Sequence, residues 1–220
     1  MADIFQEVEE DVRRERFERL WKRIAPAVIA IAVIAVGTVA GVTGWRHYVA
    51  SERAASSDRF NAALNLVVAG DRAGAIAQFG ALAGSAREPY ATLARLRQAM
   101  LMAESGDQAA AAVFAETAQK TDDPLIRDFA ELMGVVNLID REPAAGVIVR
   151  LEPLAAPDKP WRALARDYLA FLLFQSQDVT RARAIWNEIL QDETAAPAQK
   201  ARARELLAAT SAGETKGTRE

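Results

Sequence analysis

The residues that could do chemistry are few, and the first of them is the single histidine, His47. A Ser-His-Asp relay or a histidine metal cluster needs partner residues, and the sequence around His47 offers no suitable set. His47 lies instead between Trp45 and Tyr48, at the end of a long apolar segment. We therefore interpret it as an interfacial polar residue.

The second candidate is the acidic pair Asp122-Asp123, which directly precedes Pro124. Two adjacent carboxylates could be read as a metal-binding pair. The N-terminus of a helix also favours carboxylates, because they accept hydrogen bonds from its free N–H groups. Proline suits the first turn of a helix. We therefore expect Asp122 and Asp123 to cap a helix that begins near Pro124.

Other signatures of chemistry are missing from the sequence. It contains no cysteine, which excludes disulfides and thiol catalysis, and no GK[ST] phosphate-binding loop. The formal net charge of −3 gives no reason to expect a nucleic-acid partner. The sequence thus predicts no catalytic, cofactor-binding or metal-ligating residue, no small-molecule substrate and no enzyme activity.

Residues 24–45 read IAPAVIAIAVIAVGTVAGVTGW and contain no charged side chain. A helix of 22 residues is about 33 Å long, enough to cross the hydrocarbon core of a bilayer. Trp21, Trp45 and Tyr48 flank it, where aromatic rings settle at membrane interfaces. A cleaved signal peptide has a shorter apolar region, and a buried core helix is rarely apolar all round. We predict one transmembrane helix at 24–45.

The charges beside this segment predict its orientation. Six basic residues precede it and three follow it: Arg13, Arg14, Arg16, Arg19, Lys22 and Arg23 against Arg46, Arg53 and Arg59. By the positive-inside tendency, an amphipathic leader at 1–23 stays in the cytoplasm and the remainder is exported. Inside the segment, Gly37-x3-Gly41 has the spacing that lets membrane helices pack closely. These glycines could pack against a membrane partner or be ordinary glycines of a membrane helix.

The rest of the chain repeats at intervals of 35–37 residues. The repeated features are turns, small residues on both sides of each turn, and prolines between the units. The turns are Gly70, Gly106, Arg141 and Gln177; the small residues are Ala63, Ala99, Gly134 and Ala170 before them and Ala75, Ala111, Gly146 and Ala182 after them; the prolines are Pro89, Pro124, Pro160 and Pro197. This spacing is typical of stacked helical hairpins, where small residues let paired backbones approach closely.

We therefore predict an all-α domain at 46–210, a solenoid of about four helical hairpins with a capping helix. The hairpins are expected at Ser56–Gly84, Pro89–Lys120, Pro124–Leu154 and Pro160–Gln191, the cap at Ala198–Ala209, and a disordered tail at 211–220. An acidic residue near each turn should cap the second helix of its unit. The third unit departs most from the pattern, because Arg150 stands where Phe79 and Trp186 stand and Pro153 interrupts its second helix. An irregular helical bundle is the alternative.

This pattern resembles the tetratricopeptide repeat. Ala75-x3-Phe79 and Ala182-x3-Trp186 are similar to its alanine-to-aromatic pair, and Gly70-Asp71 to its turn. With the predicted anchor, the leader DIFQEVEE at 3–10 and the exit GWRHY at 44–48, the whole chain resembles the YfgM-like family, the ancillary subunit of the SecYEG translocon. The resemblance implies a bacterial inner-membrane protein with a periplasmic repeat domain.

The resemblance also implies partners: the translocon, a membrane-anchored periplasmic chaperone of the prolyl-isomerase type, and secreted client chains. The alternative function is a scaffold that assembles another envelope complex, for cytochromes or outer-membrane proteins. Some repeat proteins bind a partner's C-terminal carboxylate through basic side chains, but here Phe60, Leu96 and Met100 are apolar and Arg97 alone makes no clamp. We predict an apolar groove at these four residues that accepts extended chains.

Overall fold

The structure, a computed structural model, describes the backbone of residues 2–217 and the side chains of residues 21, 24–26, 29, 31 and 33–211. Helices and turns make up the described backbone, which confirms the all-α prediction. The helices are α1 (Ala2–Val68), α2 (Arg72–Ser85), α3 (Tyr90–Glu104), α4 (Ala110–Lys120), α5 (Pro124–Val136), α6 (Ala144–Leu151), α7 (Arg162–Gln175), α8 (Val179–Gln191) and α9 (Pro197–Gly217). A 3₁₀ turn, Glu152–Ala155, follows α6.

The chain divides into two compact units, Met1–Ala55 and Ser56–Glu220. The first is helical, and its described side chains between Trp21 and Trp45 include many large apolar groups that are exposed. Among the residues whose side chains the structure describes, which leave out positions 27, 28, 30 and 32, no helix is long and apolar enough to cross a membrane. The leader prediction for 1–23 falls almost entirely outside the described side chains and stays a prediction.

The second unit contains the predicted hairpins. The end of α1 pairs with α2, α3 with α4, α5 with α6, and α7 with α8. The outer ends of α2, α3, α4, α5, α7 and α8 lie within two residues of the predicted limits, whereas α6 ends at Leu151, before the predicted Leu154, and α1 is continuous through the predicted start at Ser56. The capping helix α9 begins at Pro197, as expected within a residue, and extends beyond the predicted end at Ala209. The prediction of a disordered tail is wrong for 211–217, where the backbone continues as part of α9, and 218–220 lie outside the described residues.

Three turns between paired helices use the same hydrogen bonds. Gly70, Gly106 and Gln177 have φ of 83°, 73° and 67°, the left-handed conformation that ends many helices. The next residue then donates its N–H back to the helix, as Asp71 does to the Leu66 carbonyl at 2.9 Å. These three aspartates (Asp71, Asp107 and Asp178) accept backbone N–H bonds near the start of the following helix, which confirms the capping prediction there.

Six of the eight predicted small residues are buried, but Ala111 is only half-buried and Gly146 is exposed. The buried counterparts of Ala75 in these units are Ala110 and Val147, one residue earlier and one later than predicted. The links between paired helices differ in length, at 69–71, 105–109, 137–143 and 176–178, and the two units with shifted residues are those with the longer links. The assignment of Gly146 to close packing is therefore wrong. Ala111 is not the fully buried residue of its unit, but its carbonyl oxygen would lie 3.7 Å from a Cβ added at Gly134, so the helices do come close there.

This shift also corrects the prediction for the third unit. Four residues after Ala75, Ala110, Val147 and Ala182 come Phe79, Phe114, Leu151 and Trp186, all buried. Leu151, not Arg150, therefore occupies the interior position in the third unit. Arg150 is half-exposed and pairs with Glu142. The expected effect of Pro153 is confirmed, because α6 is short and continues as a 3₁₀ turn.

A buried charge network closes the fourth unit. Asp192, which follows α8, accepts hydrogen bonds from Arg162 Nε and Nη2 at 2.7 and 2.9 Å and from Arg166 Nη1 at 3.2 Å. Arg166 also donates through Nε to the Ala155 carbonyl at 3.1 Å, which ties α7 to the preceding unit. Burial raises the pKa of Asp192, but the hydrogen bonds from Arg162 and Thr194 outweigh it and hold the pKa well below its usual value.

Acidification is expected to weaken this network. Because the pKa of Asp192 is depressed in the folded state, its stabilisation is complete above the unfolded-state pKa of about 3.9 and is lost as pH falls below that value. The midpoint of thermal unfolding, measured by circular dichroism at about pH 5 and about pH 3, should drop. The drop should be smaller in Asp192→Asn; an equal drop in both proteins would contradict this assignment.

Candidate peptide-binding groove

A groove of about 600 Å³ lies between α5, α7 and α9, and we call it the α7 groove. Apolar and aromatic side chains form most of its lining, with three charged groups. The lining residues are Val136, Ile139, Asp140, Leu164, Asp167, Tyr168, Phe171, Trp186, Gln199, Arg202 and Leu206. A cleft of this size with few polar groups is typical of a binding site.

The helix α7 supplies the central stripe of the groove. Leu164, Asp167, Tyr168 and Phe171 are spaced by three, one and three residues, so they share one face of a helix. The opposite face of α7 is anchored in the core through buried residues such as Leu169 and Leu173. This division explains why Phe171 stays 46% exposed although it belongs to a well-packed helix.

Trp186 of α8 forms the buried base of the groove. Its side chain is almost completely buried, and its ring centroid lies 5.7 Å from that of Phe174. One continuous core cluster extends from Leu132 to Ala203 and includes residues of all the elements from α5 to α9. The groove is therefore formed largely on a packed base, to which the link at 137–143 adds Ile139 and Asp140.

One ion pair crosses the groove between α7 and α9. Arg202 Nη1 lies 2.8 Å from Asp167 Oδ2, with the carboxylate mostly buried and the guanidinium mostly exposed. Burial raises the pKa of Asp167, and the positive charge of Arg202 opposes that rise. Asp140, at the end of the groove that follows α5, is exposed and has no ion-pair partner among the described residues.

A larger groove, of about 830 Å³, lies along α5 between α4 and α6. Its lining includes Ala111, Ala115, Ala118, Ala130 and Gly134, which offer little surface for another molecule to cover, beside Val135, Leu138, Val149 and Leu154, and none of its described lining residues is aromatic. Two of its basic residues are already paired outside the lining, Arg150 with Glu142 and Lys159 with Asp128. Because aromatic side chains contribute far more contact area than alanines, the α7 groove is the better candidate site.

The predicted groove residues lie in the first two units and are shared between two core clusters. Phe60 packs edge-on against Phe79 at 5.2 Å between ring centroids and lies 6.0 Å from Tyr90. Leu96 and Met100 are half-buried against a second cluster, and Arg97 is exposed. Phe60 and Leu96 thus contribute largely to packing, and the prediction that these residues contact extended chains stays a prediction.

Three of these residues correspond by repeat to residues of the α7 groove. Leu96, Arg97 and Met100 of α3 precede Asp167, Tyr168 and Phe171 of α7 by 71 residues each, which is two repeats. The predicted residues thus lie on the face of α3 that corresponds by repeat to the groove face of α7, and their role in binding stays a prediction. The contribution of α9 was missed, although Arg202 follows Arg166 at one repeat length.

The remaining candidate residues lie elsewhere. Asp123 accepts N–H bonds from Leu125 and Ile126 at 2.8 and 3.4 Å, which confirms its predicted role as a helix cap. Among the described residues, no group of three or more histidine or acidic side chains could hold a metal ion. His47 is exposed between Trp45 and Tyr48, whose ring centroids are 6.0 Å apart. A side chain added at Gly37 or Gly41 would meet nothing within 4 Å, and their predicted role in helix packing stays a prediction.

Antiparallel helical hairpins with an apolar groove along their first helices define the class of helical repeat proteins, whose repeat domains serve as interaction modules. The family model of the tetratricopeptide repeat-like domain matches residues 18–209 of this chain. The chain therefore belongs to that family, whose repeat domains are generally non-catalytic modules for protein binding. No curated protein and no solved structure matches it.

Proposed function

We propose that this chain is a membrane-anchored interaction module that binds other polypeptides through the α7 groove. The observation that carries the proposal is the exposed aromatic and apolar stripe of α7, of which Phe171 is the most exposed described member. Exposed apolar side chains gathered in a cleft are stabilised when a partner removes them from water. A tetratricopeptide repeat-like domain is suited to such binding because its stacked units build a long surface.

The proposed anchor is the helix at 24–45. Its support is the uncharged sequence and the exposure of its described apolar side chains, such as Ile34 and Val36 at 68% and 69%. Trp45 and Tyr48 follow at the end expected for an interface. The family match also begins at residue 18, so it includes this segment together with the repeats. An anchor would confine the repeat domain to a membrane surface and raise its effective concentration there.

We assign the anchor to the bacterial inner membrane, with the leader in the cytoplasm and the repeat domain in the periplasm. The charge asymmetry around the segment supports this orientation. The proposed role is that of an ancillary Sec translocon subunit that helps secreted chains together with a periplasmic chaperone. Its support is the resemblance of the chain to that family, and assembly of another envelope complex is the competing role.

Labelling of single cysteines tests the orientation, since the protein has no cysteine of its own. Val68 is 88% exposed, so Val68→Cys should react with a membrane-impermeant maleimide in cells whose outer membrane has been made permeable. Ala2→Cys, at the opposite side of the proposed anchor, should react only after the inner membrane is opened. Reversed labelling of the two variants would overturn the proposed orientation.

Photocrosslinking in living cells tests the groove. A photoreactive residue at Phe171 should capture secreted chains or translocon subunits, whereas the same residue at Val68, which is more exposed but lies outside the groove, should capture them poorly. Capture of one stable envelope protein at Phe171 would favour the scaffold role instead. Equal capture at both positions would count against the groove as the binding site.

A further inference from the structure

The described lining of the α7 groove has more acidic than basic side chains, and only one of these acidic side chains is free to pair with a ligand. Asp140 and Asp167 supply two carboxylates, and Arg202 supplies the one guanidinium among its described lining residues. Arg202 is already bound to Asp167 at 2.8 Å. Asp140 has no such partner within the described part of the chain, so the groove presents one uncompensated negative charge to a ligand.

The apolar lining suits a cation of a particular kind. Lysine and arginine carry long aliphatic stems that pack along apolar surface while their charged ends stay near water. Tyr168 and Phe171 line the same groove as Asp140, and the faces of aromatic rings attract cations. A basic side chain in this groove would therefore find apolar contact for its stem and a carboxylate for its charge.

The same groove disfavours an acidic ligand. A ligand carboxylate that approached Arg202 would compete with Asp167, which is mostly buried and needs that guanidinium as its partner. It would also experience repulsion from Asp140. The groove therefore differs from the clamps that recognise a C-terminal carboxylate with several basic side chains, and its charge selects against such ligands.

On this basis we propose that the α7 groove selects extended polypeptide segments in which large apolar side chains adjoin lysine or arginine. This inference rests on the proposed use of the groove for binding polypeptides and adds the chemistry of the ligand. Apolar side chains of the segment contact Phe171 and Leu164, and the neighbouring basic side chain pairs with Asp140. Affinity comes from the apolar contacts, and preference among segments comes from the charge.

Three fluorescent peptides of twelve residues test the inference by anisotropy with the full chain in a neutral detergent. All carry the core Leu-Phe in a Gly-Ser frame, followed by Lys-Lys, Gln-Gln or Glu-Glu. The lysine peptide should bind about three- to fivefold more tightly than the glutamine peptide, as for a partly exposed ion pair, and the glutamate peptide more weakly than both. Asp140→Asn should abolish most of the preference for lysine.

The control variant is Asp158→Asn, which removes the same charge at an exposed site outside the groove. It should leave the preference for the lysine peptide unchanged, and an equal loss in both variants would mean that overall charge, not the groove, selects the peptide. Equal binding of the three peptides overturns the charge inference but leaves the groove as a binding site. Binding that is insensitive to Phe171→Ala, or no binding of any peptide, overturns both the inference and the proposed function of the groove.

Discussion

Replacing Asp192 by alanine is expected to lower the free energy of unfolding by about 3 kcal/mol, the usual cost of removing one partner from a buried ion pair. The carboxylate accepts three hydrogen bonds from two arginines and two more from Thr194. Without it, Arg166 would remain mostly buried with only the exposed carboxylate of Glu188, at 3.3 Å, to match its charge, while Arg162 could partly turn to solvent. Urea unfolding, followed by tryptophan fluorescence, to which the buried Trp186 contributes, would measure the loss.

The neighbouring residue provides the control. Glu193 is exposed, so Glu193→Ala should change the free energy of unfolding by less than about 0.5 kcal/mol. If the two variants unfold at the same urea concentration, the network around Asp192 does not stabilise the fourth unit. Asp192→Asn should have an intermediate effect, because the amide oxygen still accepts one hydrogen bond but carries no charge.

Placing two arginines in the apolar segment is expected to abolish stable association with membranes. Ile34 and Val36 lie near the middle of residues 24–45 and are exposed, so Ile34→Arg with Val36→Arg removes little internal packing. Each arginine at the centre of a membrane helix costs about 3 kcal/mol on insertion. Fractionation with an alkaline wash should recover the double variant in the supernatant and the unaltered chain in the pellet.

A matched apolar double variant, Ile34→Leu with Val36→Leu, should stay in the membrane pellet. Both double variants should unfold the repeat domain at the same urea concentration, because neither position contributes to the three described core clusters. Recovery of the unaltered chain in the supernatant would overturn the proposed anchor.

The repeat could be predicted because its determinants are local in the sequence. Gly70 and Gly106 mark turns that require a left-handed conformation, and each is followed by an aspartate that caps the next helix. Small residues such as Ala63 and Ala99 lie where paired helices come closest, so they recur at a constant distance before the turns. These signals are enough to count the hairpins and to place their limits.

The register of the second helices could not be predicted in the same way. The links before these helices differ in length, and the buried residue shifts in opposite directions in the second and third units, to Ala110 and to Val147. In the third unit a fixed spacing places residue 146 in the interior, but the structure exposes the glycine at 146 and buries the valine at 147. Alanine-rich sequence hides such a shift, since Ala110 and Ala111 are identical in type.

The candidate site was harder to predict than the fold because its members come from separate units. The spacing of Leu96, Arg97 and Met100 predicts the face of a first helix that corresponds by repeat to the groove face of α7. Whether that face forms a groove depends on the side chains that neighbouring helices place beside it. In the second unit Leu96 and Met100 pack into a core cluster, whereas α9 contributes Arg202 and Leu206 beside α7 and completes the groove.

The continuous core beneath α7 has a consequence for the cost of recognition. Because buried residues from Leu132 to Ala203 form one packed core, the protein would lose little conformational entropy on binding a ligand. Nearly all of the entropic penalty of binding then comes from ordering the ligand chain. This penalty is highest for long and unstructured segments. Such a receptor would release its ligands readily once they begin to fold, a property that suits transient handling of many different chains.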